Sequence, residues 1–223
     1  MDYRLVEIVF DPHPVDLLGK LGLYDDSDEA EDFLALLAKA KPLAKPKAVL
    51  GVATVESCDS DGMVVLNGVA FQSRLLAENL QEVETVWPYL ATCGRELYDF
   101  ALSIPDPFER YWVEEIMQQA LTDVRKAVST FLAENVYQGK TAYMSPGSLV
   151  EWPIGQQIPL FRMLGDAAEA CGVVLTDSLL MVPNKTVSGI HFPNEHGYVS
   201  CKLCPREKCP NRRAKFEADM VQM

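Results

Sequence analysis

Two segments of this 223-residue chain are the most informative about its fold: TAYMSPGSLVEWPIGQQIPLFRMLG (residues 141–165) and LTDSLLMVPNKTVSGIHFP (175–193). They combine turns bounded by proline and glycine with a short apolar run that favours a strand. Glycine has no Cβ, so such turns let a ligand approach the backbone closely. We therefore expect the functional site in this part of the chain.

A third segment, SCKLCPREKCPNRR (200–213), carries thiols at a C-x2-C-x4-C spacing. The short loops between Cys201, Cys204 and Cys209 keep the three sulfurs within reach of one metal, and the pattern resembles cysteine runs that hold iron-sulfur clusters. A fourth ligand is needed for a closed site, and Cys171, at the end of a predicted helix, is the first candidate. The other candidates are Cys93, Cys58 and His191. Zinc and a metal-free tail of reduced thiols remain the alternatives.

Composition and charge restrict the class of protein. Apolar residues make up 48% and charged residues 23%, which is typical of a globular domain. The net charge of -12 argues against nucleic acid as the main partner, because phosphate binding needs a basic surface. The charge is uneven: from Cys201 onward six Lys/Arg face three acids, a net +3, which leaves -15 for the remainder.

The sequence has neither a secretory signal pattern nor an apolar run long enough for a membrane span. We therefore expect a cytoplasmic protein with no membrane partner. Thiols stay reduced in that compartment, so clustered cysteines indicate a metal more than disulfides.

The pattern of apolar residues predicts an α+β fold, with a mixed or antiparallel sheet packed by several helices. Residues 1–24 predict a strand and then a turn, and two valine-rich runs predict one hairpin that turns at Asp61-Gly62. A stripe that includes Trp112, Ile116 and Val124 predicts one long helix from about Phe108 to Val136. We expect residues 1–200 to form the main domain and residues 201–223 a Cys-rich tail.

The stretch from Ser145 to Phe192 resembles the activation domain of cobalamin-dependent methionine synthase. The correspondence is densest at Leu175-Thr176-Asp177-Ser178, then Met181, Pro183 and Val187-Ser188-Gly189, and Pro146-Gly147 is similar to the family's Pro-Gly turn. The resemblance covers roughly a quarter of the chain. It implies the fold of that domain for residues 1–200.

The family domain binds S-adenosylmethionine and presents its methyl group to cobalamin, which has been reduced by one electron. By resemblance, the ligand would lie along Ser145, Pro146 and Gly147, with Tyr198 nearby. Where the family has an arginine that pairs with the ligand's carboxylate, this chain has Tyr143, and Ser148 replaces a tyrosine. The residues that the resemblance assigns to the cofactor site are Tyr143, Ser145, Pro146, Gly147, Ser188, Gly189 and Tyr198.

The resemblance implies reductive activation or handling of a corrinoid cofactor. A corrinoid protein or methyltransferase would carry that cofactor, because the chain lacks a D-x-H-x-x-G signature. An iron-sulfur cluster would suit the electron delivery. The alternative is a non-catalytic docking module with a structural zinc site, and a third possibility is a methyltransferase component that acts on another substrate. The sequence identifies no catalytic residue.

Overall fold

The computed structural model of the protein describes residues 2–24, 26–209 and 212–217. The strands in this part of the chain are β1 (Tyr3–Glu7), β2 (Lys47–Gly51), β3 (Ala53–Cys58), β4 (Met63–Leu66), β5 (Val69–Gln72), β6 (Thr85–Thr92), β7 (Thr141–Met144), β8 (Val174–Leu175), β9 (Met181–Val182) and β10 (Thr186–Pro193). The α-helices are α1 (Pro14–Leu21), α2 (Asp28–Ala40), α3 (Arg74–Leu80), α4 (Arg95–Ser103), α5 (Pro107–Asn135), α6 (Gln157–Leu164), α7 (Asp166–Ala170) and α8 (Ser200–Leu203).

Strand β6 is the centre of an antiparallel sheet. It pairs with β10 on one side and with β2 and then β3 on the other, while β1 and β7 extend the sheet outward. Strands β3, β4 and β5 form a meander that continues it. The expected α+β class is confirmed, and every strand pair in the described part of the chain is antiparallel.

The helices form a layer on each face of the sheet and a bundle beside it. Helices α3, α6 and α7 contribute to a core on one face, and the second half of α5 packs on the other. The first half of α5 packs instead with α1, α2 and α4. At roughly 1.5 Å per residue, the 29 residues of α5 span about 44 Å, so this one helix joins the bundle to the sheet. None of the helices in the described ranges has the length and apolar character that crossing a membrane requires.

Capping residues set several helix boundaries. The Ser27 hydroxyl accepts a hydrogen bond from the Ala30 amide at the start of α2, and Asp106 accepts two from the first turn of α5. The predicted long helix is confirmed, but Phe108 is 66% exposed and does not belong to the buried face. The buried residues of α5 begin at Trp112.

The predicted hairpin that turns at Asp61-Gly62 is present as β3–β4, but two other features of the first half of the chain were not predicted. The second valine-rich run is itself a hairpin, because Asn67 and Gly68 take positive φ angles of 44° and 73° and make a two-residue turn between β4 and β5. Residues 1–24 also contain helix α1, which starts at Pro14. Proline is well suited to the first helical position, where its missing N–H is not needed.

The backbone after β7 crosses directly over β10 at Gly189. A Cβ placed on Gly189 would lie 2.1 Å from the Met144 carbonyl oxygen, 2.8 Å from the Ser145 hydroxyl oxygen and 3.0 Å from the Tyr89 ring. Contacts this short with backbone cannot be relieved by a side-chain rotation. The absence of a side chain at Gly189 therefore permits the crossing that positions Ser145.

We expect Gly189→Ala to lower the free energy of unfolding by about 3 kcal/mol or more, because the added methyl group overpacks the crossing. Chemical denaturation of purified protein measures the change. Gly19→Ala in α1 is the matched control: a Cβ there meets no atom within 4 Å, and the variant should be more stable than the wild type by about 0.5–1 kcal/mol. Equal stability of Gly189→Ala and wild type would contradict the close crossing.

Candidate functional site

The turn that follows β7 is tightly organised by its own backbone. The Ser148 amide donates to the Ser145 carbonyl at 3.1 Å, and Gly147 has a φ of 80°. Proline followed by a glycine with positive φ is typical of a type II turn. The Gly147 amide donates to the Trp152 carbonyl at 2.7 Å. Both of these N–H groups are therefore used inside the protein and are not available to a ligand.

A groove opens between the second half of α5 and strands β6, β10 and β7. It encloses about 500 Å³, and its walls carry the cationic side chains Arg125, Lys126 and Arg213. We call it the basic groove. The other residues of its floor and walls include Tyr89, Tyr143 and His191.

Tyr143 is the point where two guanidinium groups meet. Arg125, on α5, donates to the Tyr143 hydroxyl at 2.7 Å. Arg213, from the tail, lies over the Tyr143 ring with its guanidinium carbon 4.5 Å from the centroid, a cation–π arrangement. The position at which the resemblance leads us to expect an arginine thus holds a tyrosine that organises two other arginines.

His191 lies on the floor of the basic groove and stays neutral. Its side chain is 4% exposed and its Nδ1 has no hydrogen-bond partner among the described residues. The ring packs between Tyr89, at 4.4 Å, and Tyr143, at 5.4 Å. Burial, together with the smaller effect of the positive charges of Arg125 and Arg213, lowers the pKa of His191 to about 3.

The predicted cofactor residues divide between two places. Tyr143 lines the groove, and Ser145 and Gly189 lie beside the Tyr89 ring at its floor. Tyr198 lines an adjoining cavity of about 130 Å³ together with Tyr143 and Arg213. Its hydroxyl is buried and has no hydrogen-bond partner among the residues that the structure describes, and burial raises the pKa of this phenol.

Ser188 faces the other side of the sheet. Successive side chains of a strand point to opposite faces, so Ser188 lies away from the groove when Gly189 lies beneath it. The Ser188 hydroxyl donates to the buried Gln157 side chain at 2.8 Å. The structure therefore does not bring Ser188 together with the groove residues, and Pro146 is buried within the turn.

One arginine of the tail, Arg212, forms hydrogen bonds with several backbone carbonyl groups of the cysteine segment. The Arg212 guanidinium donates to the carbonyl oxygens of Cys201 and Cys204 at 3.1 and 3.2 Å and also to that of Arg206. The Arg213 amide lies 3.4 Å from the Cys201 sulfur. Burial opposes ionisation of the Cys201 thiol, but hydrogen bonds from the Arg213 and Ala214 backbone and the Arg213 charge outweigh it and lower the pKa.

Cys171 lies far from the tail thiols. It is fully buried in the core where α7 packs on β2, and burial raises the pKa of its thiol to about 12. The tail contacts β7, which is separated from β2 by β6 and β10. Three strand spacings amount to roughly 14 Å, so Cys171 and Cys201 do not share a metal in this arrangement.

Within residues 2–24, 26–209 and 212–217, no three His, Cys, Asp or Glu side chains are grouped as metal ligands. The iron-sulfur and zinc predictions for Cys201, Cys204 and Cys209 stay predictions, whereas the position of Cys171 beside β2 does not make it their fourth ligand. The side chains as folded do not form a closed four-cysteine site.

A larger cavity, of about 750 Å³, opens beside the first residues of β6 and contains none of the predicted site residues. The carboxylates of Glu78, Glu82, Glu84 and Glu195 surround Trp87 there. Its charge is opposite to that of the basic groove. The basic groove, which holds the predicted Tyr143, is therefore the candidate site.

Sequence reasoning missed Arg125 and Arg213 as site residues. A signal was present for Arg125: it lies four residues after Leu121 and three before Val128, so it shares their face of α5, which packs on the sheet. The approach of Arg213 to Tyr143 depends on the path of the tail, which no local pattern specifies.

Comparison with known proteins finds similar solved structures. No family model matches the chain, and no curated protein matches it. Among solved structures, the chain is similar to the crystal structure of the MetH reactivation domain bound to AdoHcy, with a TM-score of 0.61 and 12% sequence identity over 90% of this chain and 81% of that one.

We expect His191 to make the protein sensitive to acid. The folded-state pKa of about 3 lies below the ordinary value of 6.5, so the unfolded chain binds more protons between these values and stability falls as the pH falls. Each pH unit below about 6 should cost roughly 1.4 kcal/mol through this residue. Urea denaturation of wild type and His191→Phe at several pH values between 4 and 8 measures the difference, which should change with pH by about this slope.

A parallel pH dependence of the two proteins would contradict the neutral, buried state of His191. Replacing the exposed His196 by Phe is the matched control, and it should leave the pH slope unchanged.

The chain has the fold of the methionine synthase reactivation domain, as the resemblance predicted.

Proposed function

We propose that this protein takes part in the reactivation or handling of a corrinoid and binds an adenosyl ligand such as S-adenosylmethionine or AdoHcy at the β7–β10 edge of its sheet. The observation that supports the proposal is the fold, which matches that of a reactivation domain solved with AdoHcy over 90% of this chain. A corrinoid protein or methyltransferase would be the partner that carries the cobalt centre.

The placement of the predicted contact residues agrees with this proposal. Tyr143, Ser145, Gly189 and Tyr198 come from three separate segments and meet beside the Pro-Gly turn. The crossing at Gly189 holds Ser145 in place, and the turn's type II geometry fixes the direction in which its carbonyls point. The protein's own contribution would be to bind and orient the methyl donor against the partner, while the corrinoid supplies the methyl-accepting chemistry.

The docking-module alternative is favoured by one feature of the turn. The amides of Gly147 and Ser148 already donate within the protein, so they offer nothing to a ligand. A module that only docks on a corrinoid protein would need no adenosyl ligand. Binding measurements with the ligand alone distinguish the two functions.

Isothermal titration calorimetry of the wild type with AdoHcy should detect one site per chain. Gly147→Ala should weaken that binding tenfold or more, because a Cβ there would lie 2.6 Å from the Ile154 side chain and the backbone φ of 80° disfavours any L side chain. Gly155→Ala, in the same loop, is the matched control, since a Cβ at that position meets no atom within 4 Å. Absence of binding by the folded wild type would reject the adenosyl site and favour the docking module.

The metal prediction for the tail requires a separate experiment. Protein purified without oxygen should contain iron and sulfide and absorb near 400 nm if the tail thiols hold a cluster. Cys204→Ser should lose the metal, whereas Cys171→Ala should keep it because Cys171 lies on the far side of the sheet. Stoichiometric zinc without the absorption band would favour the structural role, and metal-free protein would contradict both metal predictions.

A further inference from the structure

Three cations line the basic groove without an acidic partner. Arg125, Lys126 and Arg213 all lie on its walls, and none of them forms an ion pair with Asp or Glu in the described part of the chain. Like charges that converge repel one another, and a bound anion removes that repulsion.

The two arginines keep hydrogen-bond donors free for such an anion. Arg125 donates to the Tyr143 hydroxyl, and Arg213 donates to the Ser200 hydroxyl at 3.4 Å. Each guanidinium has five N–H donors, so most of them remain unassigned among the described residues. The planar guanidinium matches the two oxygens of a carboxylate or phosphate, and this match is the most specific interaction that arginine makes.

His191 supplies an independent indication that a ligand belongs in this groove. Its side chain is 96% buried on the groove floor, and its Nδ1 lacks a partner among the described residues. Buried polar atoms nearly always have a hydrogen-bond partner in folded proteins. A neutral imidazole offers one donor and one acceptor. Since Nδ1 is closed off from solvent, the other ring nitrogen, Nε2, is the atom that a ligand in the groove would contact.

We propose that the basic groove is an oxyanion site, in which Arg125 and Arg213 hold a carboxylate or phosphate group and His191 hydrogen-bonds the same ligand. Tyr143 aligns the two guanidinium groups, one through its hydroxyl and one through its ring. The oxyanion site is inferred from the residues of the basic groove alone. Its assignment to the carboxylate of an adenosyl amino acid rests on the proposed function, and a phosphate group is the second source of the same chemistry.

Calorimetry at low salt with three probes shows whether the groove binds a carboxylate or a phosphate group. The probes are AdoHcy, 5′-methylthioadenosine and inorganic pyrophosphate. Methylthioadenosine keeps the adenosyl thioether but has no amino-acid carboxylate. The variants are Arg125→Met and Arg213→Met. The control is Arg162→Met, an exposed arginine on α6, on the opposite face of the sheet. Arg213 is exposed, so its replacement should leave the fold intact, and thermal denaturation verifies this for each variant.

If the groove binds the carboxylate of the adenosyl ligand, the wild type binds AdoHcy at least tenfold more tightly than methylthioadenosine. Arg125→Met and Arg213→Met should then each remove most of this difference in affinity. If the groove binds a phosphate group instead, pyrophosphate binds, and the same two variants weaken its affinity tenfold or more. AdoHcy does not bind in that case, so the oxyanion site is retained and the adenosyl proposal is rejected. Arg162→Met should change neither affinity.

Two outcomes would overturn the oxyanion site. One is AdoHcy binding that both arginine variants leave unchanged, which would preserve the proposed function while rejecting this inference. The other is a folded wild type that binds none of the three probes.

Discussion

The passage of the Met144–Ser145 backbone over Gly189 is the constraint on which the candidate site depends. Three elements converge there: the end of β7, the middle of β10 and the Tyr89 ring of β6. Because β10 pairs with both β6 and β7, a shift at this crossing would move the Pro-Gly turn and the floor of the groove together. The site is therefore built on paired strands of the sheet, where positions are better fixed than in free loops.

The electrostatics of the groove depend on two parts of the chain that are distant in sequence. Helix α5 contributes Arg125 and Lys126, and the tail contributes Arg213. Arg212 binds the carbonyls of Cys201 and Cys204 and so fixes the tail from which Arg213 extends. The cysteine segment and the groove are thus one structural unit in the described chain. A metal bound to the tail thiols would alter the position of Arg213 as well as the thiols themselves.

The sequence was informative about the fold because local patterns carry it. The apolar stripe of α5 is a short-range signal, and the structure places Trp112, Ile116 and Val124 on the buried face of that helix. The hairpin at Asn67-Gly68 was missed although its signal is equally local, since the surrounding valine-rich run resembles one uninterrupted strand. The candidate site was only half predictable: the Pro-Gly turn could be identified from its residues, whereas Arg125 and Arg213 reach Tyr143 through tertiary packing. The resemblance assigned Ser188 to the site together with Gly189, but the alternation of side chains along β10 turns Ser188 to the other face.

Hydrogen–deuterium exchange with and without AdoHcy tests whether the ligand binds beside the Gly189 crossing and the basic groove, because it locates a ligand by the backbone segments that the ligand protects. We expect AdoHcy to slow amide exchange only in residues 143–148, 187–191 and 212–217, which surround the crossing and the basic groove. Protection centred instead on residues 78–87, beside the acidic cavity, or no protection in a protein shown to be folded, would contradict it.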